Sequence, residues 1–176
     1  MIWLSNSTLT RLRDQLRARG ERPSMMPAPG ASPDAIEAMA LFAEYGPLAE
    51  AMFLMMSADG QVTQEERDVL RGALRNLSGD ELRTAHIEKM LDDAAERLEA
   101  EGRDKRLEQV VSELRGDADR AEVTFVLAAA IAFADGTIAD EENDTIGSLA
   151  EGLGIDEAKA NALMDTVDAD LKSTGG

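Results

Sequence analysis

Apolar residues recur along most of this chain at the three- and four-residue spacing of helices, with polar residues between them. No run alternates with the two-residue period of a strand, because valine and isoleucine are scattered at helical spacing. Glycine or proline interrupts the pattern at each break, including Gly46-Pro47. We therefore expect an all-α fold, a bundle of about seven or eight helices. The predicted helices span 33–45, 47–57, 64–77, 80–101, 103–115, 118–133, 140–153 and 156–172.

The composition narrows the classes of function. The 176 residues carry a formal charge of −17, which argues against binding to nucleic acid, since that affinity depends on Lys and Arg. There is no cysteine and one histidine, which excludes thiolate metal sites and His-rich zinc sites. The sequence offers no specific catalytic constellation and no phosphate-binding glycine loop, so we expect neither an enzyme nor a small-molecule substrate. We expect a cytoplasmic protein, because no stretch is long and apolar enough to span a membrane. We also expect protein partners, and the negative charge favours cationic ones.

Residues 1–33 differ in charge from the rest, with five arginines against two acids, and they end in a Pro-rich linker. We divide the chain into this N-terminal arm and a helical domain at 34–176. The spacing of the arm's residues predicts a short basic helix with an apolar stripe. This stripe is formed by Ile2, Trp3, Leu4, Leu9, Leu12 and Leu16.

Several roles for this arm stay open. Residues 2–19 can contact an anionic membrane surface peripherally or dock on an acidic partner. The same helix can fold back onto its own acidic bundle, or the segment can be flexible.

One segment occurs twice, at 57–70 and 133–146, without insertion or deletion. Each residue of the first copy has its counterpart 76 positions later, so that Asp59 corresponds to Asp135. In each copy an apolar helix precedes an Asp-Gly turn, and an amphipathic helix follows it. We therefore predict an internal duplication with a pseudo-two-fold axis, which places both apolar helices centrally and brings the two acidic turns together.

Each copy matches the second half of an EF-hand calcium loop, with an acid, a glycine, an aliphatic residue and a glutamate at the corresponding spacing. Neither loop alone has the ligands of the first half, so a single cation site would need both loops. Facing loops would give a hard cation such as Ca²⁺ or Mg²⁺ four carboxylates. The principal candidates are Asp59, Glu66, Asp135 and Glu142, with Glu65 and Glu141 beside them. Asp68 and Asp144 rank second.

The same residues also fit a role without metal. Glycine and aspartate are ordinary turn residues, and acids in a first helical turn favour the helix dipole. The segment from Thr63 to Glu66 is a capping box, which explains Glu66 by itself. The second copy has Ala139 in place of Thr63 and yet keeps Glu141 and Glu142, and this asymmetry favours a binding site.

The two copies, from Ala58 to Glu66 and from Ala134 to Glu142, resemble the paired signatures of the tellurite-resistance TerB-like family. The resemblance covers about residues 34–172, and the basic arm falls outside it. It extends to the N-terminal region of some membrane-associated DnaJ-type co-chaperones. It implies an all-helical bundle with pseudo-two-fold symmetry, whose clustered acids are proposed to bind divalent metal.

The resemblance also implies an accessory role, as a metal-sensing or scaffolding module in bacterial stress response at the inner membrane. Our leading hypothesis is a divalent-cation-binding module that presents a surface to protein partners. The alternatives are a metal-free interaction scaffold, recruited to a membrane through the arm, and a small hydrolase using the same acids.

Overall fold

The computed structural model describes residues 3–18, 30, 32–60, 62–133 and 140–174. All regular secondary structure in these ranges is helical, as the periodicity predicts. The helices are α1 (Asn6–Ala18), α2 (Pro33–Met56), α3 (Gln64–Leu77), α4 (Thr84–Glu101), α5 (Arg103–Leu114), α6 (Ala118–Phe133), α7 (Asp140–Leu153) and α8 (Glu157–Thr174). A short 3₁₀ turn, Ser57–Asp59, follows α2.

The core forms around α2 and α6, which pack directly against each other. From Leu48 to Met56 the residues of α2 are buried on every side, and α6 is equally buried from Val123 to Ala132. Three methionines of α2 are core residues: Met52, Met55 and Met56. The other helices cover this pair with one apolar side each.

The helices form two related sets of four, α1–α4 and α5–α8. Within the described residues, α1 packs on α3 and α6, and correspondingly α5 packs on α7 and α2. In the same way, α4 covers α2 and α8 covers α6. This arrangement confirms the predicted internal duplication and extends it from the short repeated segment to whole four-helix units.

The predicted break at Gly46-Pro47 is wrong, because α2 continues through both residues. Pro47 has no N–H, so the helix cannot make its usual bond to the carbonyl of Ala43. The Arg120 guanidinium of α6 replaces that donor, with Nη2 lying 3.0 Å from the Ala43 oxygen and 2.8 Å from the Glu44 oxygen. A donor from the other central helix therefore allows proline in the interior of α2.

The start of α4 also differs from the prediction, at Thr84 instead of residue 80. Gly79 and Asp80 both have positive φ angles, of 64° and 65°, which ends the helical path after α3. Leu82 is fully buried in the connection, and its N–H donates to the Ser78 hydroxyl at 3.1 Å. Burial of one leucine thus fixes the chain between α3 and α4.

The N-terminal helix α1 lies against α3 and α6, with Leu9, Leu12 and Leu16 buried in the common core. Polar contacts hold the segment before it to α8, since the Ser5 N–H and hydroxyl donate to the two oxygens of Asp170 at 2.9 and 2.8 Å. The helix therefore folds back onto the bundle, and the four leucines of its apolar stripe are buried. Membrane contact through residues 2–19 stays a prediction.

A buried ion group connects α2, α4 and α5. The Glu50 carboxylate of α2 accepts two bonds from Arg106, at 2.6 and 3.0 Å, and a third from Arg97 at 3.2 Å. Such a group is costly to break, because removing one partner leaves an uncompensated charge.

None of the helices described is both long and apolar enough to cross a bilayer.

Replacing Arg120 tests how the helix passes Pro47. We expect Arg120→Met to lower the free energy of unfolding by about 2–3 kcal/mol, because buried carbonyls lose a charged donor. Adding Pro47→Ala should recover about 1 kcal/mol in that background, since the new N–H reaches the Ala43 carbonyl. Urea unfolding of the four proteins of the cycle measures the coupling. Additive effects would contradict the account.

The contact of Ser5 with Asp170 predicts a pH dependence. Partial burial raises the pKa of Asp170, but the hydrogen bonds from Ser5 and Thr8 outweigh burial and hold it below the ordinary 3.8. A lowered pKa gives stability that is present above pH 3.8 and is lost as the pH falls through the folded value.

Fluorescence of Trp3, the chain's one tryptophan, reports this docking, because its side chain packs against the core and its carbonyl accepts from the Thr174 hydroxyl at 3.0 Å. Asp170→Asn should loosen the segment at neutral pH and remove its acid-dependent step. Asp168→Asn, on the same helix, is the control. Identical acid titrations of Asp170→Asn and the unchanged protein would exclude this role.

Candidate functional site

The first acidic loop begins where the buried end of α2 meets solvent. The Ser57 hydroxyl donates to the Leu54 carbonyl at 3.0 Å, and the Gly60 N–H donates to the Ser57 carbonyl at the same distance. Gly60 has φ 132° and ψ −99°, a conformation that residues with a Cβ rarely adopt. The glycine of the repeated motif is therefore required by the turn itself.

The loop then enters α3 through the predicted capping box. The Thr63 hydroxyl accepts from the Glu66 N–H at 3.2 Å, and the Glu66 carboxylate accepts from the Thr63 N–H at 2.7 Å. Val62, the aliphatic position of the motif, packs on the core. Glu65 is exposed on the first turn of the helix. Glu66 thus has a structural role that needs no metal.

An arginine that the motif does not contain lies behind this loop. The Arg103 guanidinium, from the start of α5, donates to the Leu54 carbonyl, and its Nη1 lies 3.5 Å from the Ser57 hydroxyl. It therefore caps the C-terminal end of α2, where the helix dipole favours a cation. Sequence reasoning missed Arg103, because nothing in the repeat indicates a donor from a helix 46 residues away.

The second loop is largely outside the described residues. Asp135 falls within 134–139 and so lies outside them, as do the side chains of Asp59, Glu141 and Glu142. The backbone shows that α7 begins at Asp140, as predicted, and that the 3₁₀ turn of the first loop lies against α7. The fold therefore brings the first loop to the helix that carries Glu141 and Glu142.

Next to the loop, two arginines of α3 pair with carboxylates of α4. Arg67 Nη2 lies 2.7 Å from a Glu88 oxygen and 2.9 Å from an Asp92 oxygen of α4, and Arg71 Nη1 lies 2.6 Å from the other Glu88 oxygen. Burial lowers the pKa of Arg67, but these carboxylates outweigh it and raise the pKa above its ordinary value. Asp68 forms an ion pair with Arg71, so it is engaged within the helix.

Across the part of the chain that the structure describes, no three or more acidic or histidine side chains are grouped as metal ligands. Of the six predicted ligands, only Glu65 and Glu66 have described side chains. The joint cation site therefore stays a prediction.

An all-helical bundle of two four-helix units, each with an Asp-Gly sequence between its second and third helices, defines the class of this protein. A family model described as "Tellurite resistance protein TerB" matches residues 47–165, more than half of the chain. The chain belongs to this family. The match includes both acidic loops and leaves out α1. No curated protein and no solved structure matches the chain.

The turn geometry gives a matched test of the two kinds of glycine in this region. Gly60→Ala should lower the free energy of unfolding by about 1–3 kcal/mol, because alanine is strained at this φ. Gly72→Ala, within α3, should raise it by about 0.5–1 kcal/mol, since a Cβ there meets no atom within 4 Å. Urea unfolding measures both. Equal effects of the two variants would contradict the assigned turn.

Proposed function

We propose that this TerB-family protein is a non-enzymatic accessory module of the tellurite-resistance type, which holds one divalent cation between its two acidic loops. The observation that carries the proposal is the position of the 3₁₀ turn Ser57–Asp59 against α7. Since Glu141 and Glu142 lie on the first turn of α7, one ion held by ligands from both loops fits this fold.

The ligand set follows from the chemistry of hard cations. Asp59, Glu66, Asp135 and Glu142 supply carboxylate oxygens, and backbone carbonyls and water complete the shell of Ca²⁺ or Mg²⁺. Glu65 and Glu141 are neighbouring ligands. The capping bond uses Oε2 of Glu66 and leaves Oε1 without a hydrogen bond in the described residues. Glu66 can therefore cap α3 and bind the cation at the same time.

Charge repulsion supplies the mechanism. Without a cation, the carboxylates of the two loops repel each other. Arg103, at the end of α2, offsets only part of this repulsion. A bound divalent ion turns the repelling groups into shared ligands and stabilises the folded state by mass action. The occupied state then presents a defined acidic surface to protein partners, in the cytoplasm or peripherally at the inner membrane.

The second candidate is a metal-free interaction scaffold. The observed capping box favours it, because this interaction accounts for Glu66 without an ion. A scaffold of this kind has the same fold and the same acidic surface, but its stability does not respond to cations at specific residues.

Cation titration separates these two functions. We expect EDTA-treated protein to bind about one Ca²⁺ or Mg²⁺ saturably, with a rise in melting temperature, because the cation binds only the folded state. Calorimetry and thermal unfolding measure both effects. Asp59→Asn with Asp135→Asn should abolish the response.

The control is Asp34→Asn with Asp165→Asn, which makes the same charge change at exposed positions outside the loops. It should leave the response intact. No saturable binding at millimolar cation, or equal loss in both double variants, would reject the cation site and leave the scaffold.

A further inference from the structure

The two four-helix units differ at one interface. In the first unit, α3 carries Arg67, Arg71 and Arg75 at four-residue spacing, which places them along one side of the helix. The corresponding positions of α7, 76 residues later, are Asn143, Gly147 and Glu151. A row of three cations in the first unit is therefore replaced by a row without any.

The arginines close the first unit. Arg67 and Arg71 both pair with Glu88 of α4, and Arg67 pairs with Asp92 as well, so guanidinium groups fill the interface between α3 and α4. These helices contact each other directly along it.

The second unit also lacks the carboxylate that both Arg67 and Arg71 share in the first unit. The buried residues Ile87, Leu91 and Ala94 of α4 align with Ala160, Met164 and Val167 of α8, and this alignment places Asn161 at the position of Glu88. It places Asp165 at the position of Asp92, so one carboxylate is kept.

The result is a groove between α7 and α8. In the described residues α8 packs on α6, α7 packs on both α5 and α6, and α7 and α8 hardly contact each other, so a cavity of about 510 Å³ lies between these two helices. A Cβ atom on Gly147 would meet nothing within 4 Å, so the position that Arg71 fills in the first unit is open here. The apolar lining of this α7–α8 groove comprises Phe125, Ile146, Ala150, Ile155, Ala160 and Met164.

The rim of the groove is acidic. Glu151 and Glu157 line it, and neither has an ion-pair partner in the part of the chain that the structure describes. Helix α7 contains five acids and no basic residue. An apolar floor under unpaired carboxylates is complementary to a segment that carries both apolar and cationic side chains.

We propose that the α7–α8 groove binds an arginine-bearing segment of a partner protein. The guanidinium groups of this segment lie in the groove at the positions that correspond to Arg67 and Arg71 of the first unit, and they pair with the rim carboxylates. An apolar side chain of the segment packs on the apolar lining of the groove. A second copy of the chain is a poor occupant, because two chains of charge −17 repel. The groove uses none of the six proposed cation ligands, so the two proposals stand separately.

The test uses ¹⁵N-labelled full-length protein in EDTA, which keeps it independent of cation binding. The probe is a synthetic peptide of Ala-Leu-Arg-Ala repeats, and its control has glutamate in place of arginine. We expect saturable shifts of the amide signals of Gly147, Asn161 and Met164 with the arginine peptide alone. Shifts spread over the acidic surface, shifts with both peptides, or no binding at millimolar peptide would each overturn the proposal.

A variant that rebuilds the first interface gives the decisive comparison. Asn143→Arg with Gly147→Arg and Asn161→Glu should fill the groove, raise the melting temperature and weaken peptide binding about ten-fold or more. Glu96→Gln, at an exposed position of α4, makes the same net charge change and should leave the affinity unchanged.

Equal affinity in the filled variant would overturn the proposal. If that variant is destabilised, Glu151→Gln with Glu157→Gln tests the same contacts, and unchanged affinity there has the same meaning. Concentration-dependent self-association that these variants abolish would assign the groove to a second copy instead.

Discussion

The attachment of α2 to α6, the two buried central helices, depends on a donor for the backbone carbonyls that precede Pro47. Pro47 removes one donor in the middle of α2, and Arg120 of α6 supplies a replacement to two successive carbonyls. The same guanidinium thus supplies the hydrogen bonds that these carbonyls of α2 need and attaches α2 to α6. A buried carbonyl without a donor would be costly. Since each acidic loop follows the end of one of these helices, their packing also sets where the loops lie.

Local chemistry made much of this fold predictable. The helix α3 and its capping box follow from Thr63, Glu66 and the apolar spacing, and the start of α7 follows from the repeat. Long-range contacts explain what sequence reasoning missed. The path through Pro47 depends on an arginine far along the chain, and the group of Glu50 with Arg106 joins residues 56 apart.

The candidate site divides in the same way. The glycine conformation and the cap of the first loop were accessible from the motif, because both are local. Arg103 was not, because it reaches the loop from α5. The contact between the first loop and α7 follows from the packing of the two units, which the repeat indicated only as a hypothesis.

Duplication followed by divergence gives a physical account of why the two units have different surfaces. The first unit closes its outer interface with arginine–carboxylate pairs, and the second leaves the α7–α8 groove open and acidic. The shared loops keep the same acids in both units. A joint cation would therefore connect one closed unit and one open unit.

Mn²⁺ gives the most direct test of the claim that one ion is held by both loops, since it accepts the same oxygen ligands as Ca²⁺ and Mg²⁺ and broadens nearby NMR signals. At low Mn²⁺ the account predicts that the amide signals of Gly60 and Gly136 broaden together, and that added Ca²⁺ or Mg²⁺ restores both. Broadening of one loop alone, or of acidic residues over the whole surface, would contradict a shared site.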